Sequence, residues 1–384
     1  MNISGYSETR YRHLYVHVPF CARRCSYCDF SIAVRRRVPV DAFVRGIQQE
    51  LVNRRTTGTV TALETLYLGG GTPSLLGGDG IGRLLDVLQR DMPLADNAEV
   101  TLEANPEDIT ADAVRAWRTA GVTRLSIGVQ SFHDTVLQWM HRVHDAASAD
   151  RAVFTARDGG LSALSLDLIF AVPAALERDL ARDLDAVLAH APDHVSLYGL
   201  TIEPHTPLGR WRARGSVVET TEERYEDEFL TAHHRMDAAG FEHYEVSNFA
   251  RPGRRAAHNG AYWTGDSYLA LGPGAHGFDG RERRWNIAAY AAWQTVVDSG
   301  ADPVAGREEL TPNNRAAERV YLGLRTSDGL VLTAQEIEKV APWVEAGWIE
   351  WVESASESRA RCTPLGWLRL DRLATDLTEL RSHW

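Results

Sequence analysis

A chain of 384 residues that is 44% hydrophobic and 24% charged can bury one large α/β domain and a smaller second one. Its net charge of −11 argues against nucleic acid or an anionic membrane surface as a partner. No run of 18 apolar residues occurs and the N-terminal segment lacks the apolar core of an export signal, so a cytoplasmic protein without a transmembrane segment is expected. In that compartment its four cysteines are reduced thiols or metal ligands, not disulfides.

In chain order, β-rich runs begin at Leu14 (LYVHV), Thr65 (TLYLG), Glu99 (EVTLEA), Arg124 (RLSIGVQ), Ala163 (ALSLDLIF) and His194 (HVSLYGL). Helical stretches such as VDAFVRGIQQELVNR, IGRLLDVLQRDM and ADAVRAWRTAG lie between them. This alternation predicts parallel strands joined by right-handed crossovers. Six such units are too few to close an eight-stranded barrel. GGGTPS follows the second strand, EANPE ends the third, QS ends the fourth and LDL lies within the fifth. Polar groups at the ends of successive strands are what a barrel-type site requires, whereas a doubly wound sheet gathers them at one switch point. The expected core is therefore a partial (β/α)6 barrel of the TIM type over residues 1–250. A Gly-, aromatic- and His-rich connecting segment follows at 251–304, and ADPVAGREELTPNN (301–314) reads as a polar connector after the Gly- and His-rich run. Residues 305–384 read as a small C-terminal α+β domain with a hairpin, WIEWVESASESRARCTPLGW.

Directly after the first strand stands Cys21-Ala-Arg-Arg-Cys25-Ser-Tyr-Cys28. Three thiolates in this loop can ligate three irons of a cubane and leave the fourth open. The remaining cysteine, Cys362, lies in the hairpin-like segment and is expected to be an ordinary buried thiol. Zinc is the main rival, but it wants four closed ligands, and only His13 or His17 stands near enough in sequence to complete the set. The spacing is the signature of the radical S-adenosylmethionine (SAM) superfamily. That resemblance implies a 4Fe–4S cluster whose open iron is chelated by the amino and carboxylate groups of SAM, and whose electron cleaves the sulfonium to a 5′-deoxyadenosyl radical.

Gly69-Gly70-Gly71-Thr72-Pro73 has neither Walker A nor Rossmann spacing, and by itself it is as readily a tight turn. In this position it resembles the GGE-type segment that binds the SAM amino group. The cofactor-binding set implied by the resemblance is Tyr15, Tyr27, Gly70, Gly71, Thr72, Glu103, Gln130, Arg142 and Asp167. A carboxylate such as Asp167, within the apolar run LSLDLIF, needs a buried partner or a ligand, and a salt bridge inside the barrel is the alternative.

Further stretches, among them LEANPEDIT, LDLIFAVP, LTIEPHTPL, YEVSNFARPG, HNGAYW and LGPGAH, resemble the oxygen-independent coproporphyrinogen III oxidase-like family from about Leu14 to the C-terminus. Within it they resemble the HemW group of haem chaperones. The decarboxylating enzymes of that family carry a fourth cysteine where this chain has Phe30, and a longer segment before the cluster motif. The resemblance implies a protein that binds haem and passes it to an acceptor, with an electron donor for the cluster; acceptor and donor are not named by the sequence. It also makes His258 the haem axial ligand, with Tyr262 and Trp263 packed on the macrocycle, and leaves His276 and His205 as lesser rivals. A hydrogen-bonded structural cap is the plain alternative for His258. Two other functions compete: radical decarboxylation of coproporphyrinogen propionates, and radical chemistry on haem itself. Two departures stand out. Met140-His141-Arg142-Val143-His144 replaces L-G-R-x-H, and Ala171-Val172-Pro173-Ala174-Ala175-Leu176 replaces GLPGQT, so altered turns are expected at both places.

Overall fold

The computed structural model describes residues 10–54, 59–353 and 357–382; the start of the N-terminal segment judged free of an export signal, and the middle of the C-terminal hairpin, lie outside them. The six expected strands form as β1 (Arg10–Val18), β2 (Thr59–Gly70), β3 (Leu94–Ala104), β4 (Arg124–Gln130), β5 (Ala163–Phe170) and β6 (His194–Gly199), each parallel to the next. The crossovers carry α1 (Val40–Arg54), α2 (Gly77–Gln89), α3 (Ala111–Ala120), α4 (Ala146–Asp158) and α5 (Leu180–Ala189). In α2, buried Ile81, Leu84, Leu85 and Leu88 fall on one helical stripe. Helix α3 is started by the Thr110 side chain accepting from Ala113 N and stopped by Gly121 at φ 106°.

Strand periodicity separates two environments. Leu14, Val16 and Val18 of β1, Leu66 and Leu68 of β2, Leu125 and Ile127 of β4, and Leu164, Leu166 and Leu168 of β5 all join the main apolar core. The alternate residues, including Tyr15, Tyr67, Glu103, Ser126, Ser165, Asp167 and Ser196, face the other way and make an inner surface rich in polar groups.

The sheet extends well beyond these six strands. β7 (Glu242–Glu245) and β8 (Asn248–Ala250) add antiparallel to the β6 edge. β9 (Tyr268–Leu271) adds parallel to β1, followed by antiparallel β10 (His276–Phe278), β11 (Glu282–Asn286) and β12 (Val304–Glu309). The twelve strands run β12-β11-β10-β9-β1-β2-β3-β4-β5-β6-β8-β7. The stretch read as a polar connector is thus corrected: it contains an edge strand whose outward side chains are charged, as edges commonly are.

Helices α6 (Glu222–Ala238), α7 (Ala257–Thr264) and α8 (Tyr290–Asp298) follow the chain, and α9 (Pro312–Arg325) begins with a capping box between Thr311 and Asn314. The C-terminal part adds a three-stranded sheet, β13 (Leu330–Val331), β14 (Ile349–Glu353) and β15 (Ser358–Cys362), with α10 (Ala334–Glu345) and α11 (Leu370–Ser382). Cys362 is buried at 3% exposure, as expected of an ordinary core thiol.

One buried network ties the added strands to the barrel. Glu50 on α1 is fully buried and pairs with Arg54 at 2.8 Å. Its carboxylate also accepts from Asn286 Nδ2 (2.7 Å), Gly272 N (2.9 Å) and Trp293 Nε1 (2.9 Å). Removing the carboxylate takes the counter-charge from a buried guanidinium and an acceptor from three donors. Glu50→Ala should therefore cost about 3–5 kcal/mol, read as a lower denaturant midpoint with red-shifted tryptophan emission; a loss below about 1 kcal/mol would rule out this network as the clamp.

Candidate functional site

The cysteine loop leaves β1 through a short parallel pair, Phe20–Cys21 with Ala33–Val34. Its centre is pinned by Ser26, which is fully buried: Ser26 N donates to Met140 O (3.0 Å) and Ser26 Oγ to Trp139 O (3.1 Å). Those acceptors belong to the turn that carries Arg142, so the loop and the turn are one unit. Arg142 places Nη1 3.6 Å from Cys25 Sγ and donates through Nη2 to Asn105 Oδ1 (2.6 Å) and Gly128 O (2.8 Å). Thr72 Oγ1 lies 3.5 Å from Cys21 Sγ. Burial raises the Cys21 thiol above its ordinary range and pushes Cys28 up to about 11, so loading a metal there releases protons.

A single zinc would need donors within about 2.3 Å of one point. Among the described residues no three His, Cys, Asp or Glu side chains make such a cage. Three thiols that line one open cavity, with a guanidinium beside Cys25, suit an iron–sulfur cluster held by three residues.

That cavity, of about 480 Å³, occupies the inner face of the barrel. Cys21, Cys25, Tyr27, Cys28, Gly70, Gly71, Thr72, Glu103, Gln130, Arg142 and Asp167 all line it. Gly70, at φ +112°, leaves no room for a Cβ beneath the His17 ring and donates its N–H to Glu103 Oε2 (3.0 Å). Gly71 packs against the Pro19–Phe20 backbone instead, so its need for glycine is structural. Glu103 also accepts from Tyr67 OH at 2.7 Å. Asp167 accepts from Ser126 Oγ at 3.0 and 3.1 Å and is bonded by Ser165 and Ser196 as well, so its partners are hydroxyls and not the cation of an internal salt bridge. Burial raises Glu103 to about 7 and Asp167 to about 6, the hydrogen bonds opposing it in each case, and the charge of Asp167 lifts Glu103 further.

Both departures from the resembled sequence pattern keep a left-handed turn without glycine. His141 sits at φ 60° and Ala171 at φ 58°, conformations that cost a non-glycine residue roughly 1–2 kcal/mol. Gln130, at φ 67°, follows a register shift at the end of β4.

The haem residues expected from sequence are placed differently. His258 is not in an open loop: it lies in the first turn of α7, whose N-terminal N–H groups donate to Glu99, and it is 1% exposed. Its ring bonds Thr65 Oγ1 (2.6 Å) and Tyr262 OH (2.9 Å), and burial brings it down to about 3. With both nitrogens occupied, its geometry is that of the structural cap. Tyr15, Tyr262 and Trp263 line a second cleft of about 460 Å³, together with His276 but without His258. His205 lines neither cavity.

Sequence reasoning missed Asn105, which bridges Arg142 and Thr72, and Tyr67, whose alternation with Leu66 and Leu68 already placed it on the inner face.

The chain matches the radical SAM superfamily over residues 15–187. It is 37% identical over 344 residues to the "Heme chaperone HemW" of Mycobacterium tuberculosis, covering 88% of each chain. It is 32% identical to the protein of that name from Bacillus subtilis, covering 82% of this chain and 84% of the relative. With that of Escherichia coli the identity is 39% over 69% of each. Among solved structures, the radical SAM enzyme coproporphyrinogen III oxidase (HemN) of E. coli superposes with a TM-score of 0.79 over 97% of this chain and 91% of its own at 22% identity, a likeness of fold.

Glu103 generates a pH prediction. Its raised affinity means that the folded protein holds an extra proton between the ordinary carboxylate range and about pH 7, so stability falls as pH rises through that window. Glu103→Gln should remove this dependence and leave the metal-free protein more stable by about 1–3 kcal/mol at pH 8 than the parent, with a smaller gap at pH 5. Denaturant unfolding at the two pH values checks it; an equal gap at both would exclude the buried charge as the cause.

Proposed function

This chain belongs to the HemW family of radical SAM proteins, and we propose that it is a cytoplasmic haem chaperone that binds haem and transfers it to an acceptor protein. The observation that carries this reading is the division of the inner sheet face into two cavities. One gathers the three thiols with Glu103, Asp167 and Arg142; the other is walled by aromatic rings. The relatives that bear the chaperone name match over most of both chains. Phe30, in place of a fourth cysteine, argues against propionate decarboxylation. Among the described residues no helix is long and apolar enough to cross a membrane, which fits the cytoplasmic assignment.

When bound, the cluster supplies one-electron reducing power and an open iron for SAM. Cys21, Cys25 and Cys28 would hold it, with the Arg142 guanidinium beside Cys25 offsetting thiolate charge. Glu103 and Asp167, facing the same cavity, would accept the cationic groups of SAM, and the backbone at Gly70 keeps Glu103 oriented for that contact. This reading requires two partners, an acceptor protein for the haem and an electron donor for the cluster.

Anaerobic reconstitution tests the whole reading. Cys21→Ala, Cys25→Ala or Cys28→Ala should each abolish the brown cluster absorbance, while Cys362→Ala keeps it. Glu103→Ala should weaken SAM binding at least tenfold with the cluster intact. The reconstituted parent should bind haem and leave coproporphyrinogen unconverted; turnover of coproporphyrinogen without haem binding would replace the chaperone with the decarboxylase.

A further inference from the structure

The aromatic cleft holds a histidine suited to metal ligation that is not the one singled out by sequence. We propose that haem docks in the cleft walled by Tyr262, Trp263, Tyr268 and Phe278, and that His276 ligates its iron; this rests on the haem-binding reading above.

Three histidines approach this region and two are already committed. His17 bonds Tyr15 OH (3.0 Å) and Ser31 O (3.0 Å) through its two nitrogens. His258 spends both of its own on Thr65 and Tyr262 and lies outside the cleft. His276 lines the cleft and is exposed, and its side chain makes no hydrogen bond or ion pair among the described residues. Its ring stacks on Trp285 of the neighbouring strand, at 5.9 Å with an interplanar angle of 19°. The ring is therefore held in one plane while its nitrogens remain free, the condition for an axial ligand.

The walls suit a flat macrocycle. Tyr262 and Tyr268 meet edge to face at 4.7 Å, and Phe278 flanks Tyr268 at 6.4 Å. A volume of about 460 Å³ lies within the range of small-molecule sites. Arg283 enters the cleft half-buried, 5.8 Å over Phe278, with Nη1 on Glu318 Oε1 at 2.6 Å. Its other guanidinium donors are the cationic counterpart for a propionate, while Glu318 and Asp266 set the anionic side of the rim. Gly272, at φ +98°, fixes the geometry: any Cβ there would collide with His17 O, so only glycine lets the chain between β9 and β10 cross this close to β1.

The test uses the full-length protein, titrated with haemin by Soret absorbance and with iron-free protoporphyrin by fluorescence. His276→Ala should shift the Soret band and lower haemin affinity at least tenfold, with the spectrum restored by added imidazole and protoporphyrin affinity unchanged. Trp263→Ala should weaken both ligands. His258→Gln, which keeps groups able to bond Thr65 and Tyr262, should leave the Soret position unaltered. Wild-type haemin binding with an unchanged His276→Ala spectrum overturns this inference alone, as does a Soret shift confined to His258→Gln. Failure of the wild type to bind haemin overturns the chaperone reading with it.

Discussion

The inner face of the barrel carries two half-buried carboxylates, Glu103 and Asp167, that no cation in the described chain neutralises by an ion pair, and the layout of the site follows from that constraint. Parallel strands must send every second side chain inward, and the outward set is taken by the apolar core beneath the helices. The inward set then has to satisfy its own polar groups. It does so with the Tyr67 phenol, which donates to Glu103, and with Ser126, Ser165 and Ser196, short hydroxyls that donate to Asp167 without filling the lumen. Both carboxyls consequently prefer their protons more than usual. On the proposed reading a cationic ligand entering between them would offset that cost, and the unfavourable burial in the free protein would favour positive charge.

Charge alone does not position a reaction; the cysteine loop must be held against the same cavity. Ser26 does this through backbone bonds to the turn at Trp139 and Met140, and Leu208 N bonds Ser26 O from the other side at 2.8 Å. Arg142 leaves that turn to reach both Cys25 and Asn105, which itself bonds Thr72. Thiols, guanidinium and the glycine-rich segment thus move together or not at all. His141 explains how the turn tolerates its departure from the resembled sequence: the ring packs edge-on against Trp211 at 5.3 Å while the backbone keeps the left-handed conformation.

Much of this was legible because period-two alternation and cysteine spacing are local signals. ALSLDLIF marked Asp167 as a carboxylate in an apolar run that needs a partner, which serine hydroxyls supply, and the spacing of Cys21, Cys25 and Cys28 already grouped three thiols that line one cavity. β9 to β12 were not legible, since strands of three to six residues broken by Gly272, Gly274 and Gly280 carry too little pattern, and their stability comes from the distant Glu50 network. His258 was misplaced for a related reason. A motif reveals that imidazole, tyrosine and tryptophan are neighbours; it does not reveal that Thr65, 193 positions earlier, takes one of the nitrogens.

The position of His258 nevertheless explains why its motif belongs with the second cleft. Its ring stacks on Tyr67 at 5.1 Å and 28°, while Tyr67 bonds Glu103 in the first cavity and stacks on Tyr15 at 6.0 Å. On its far side His258 bonds Tyr262, a wall of the second. The wall between the two cavities is therefore a continuous run of packed rings, Tyr67 to His258 to Tyr262, hydrogen-bonded to Glu103 at one end and with a neutral imidazole at its centre. Replacing that imidazole disturbs both cavities without touching either ligand. Weaker haem affinity on its loss is consequently the mark of a displaced wall, whereas a changed iron spectrum is the mark of a lost ligand, and the two roles of histidine in this region separate on that difference.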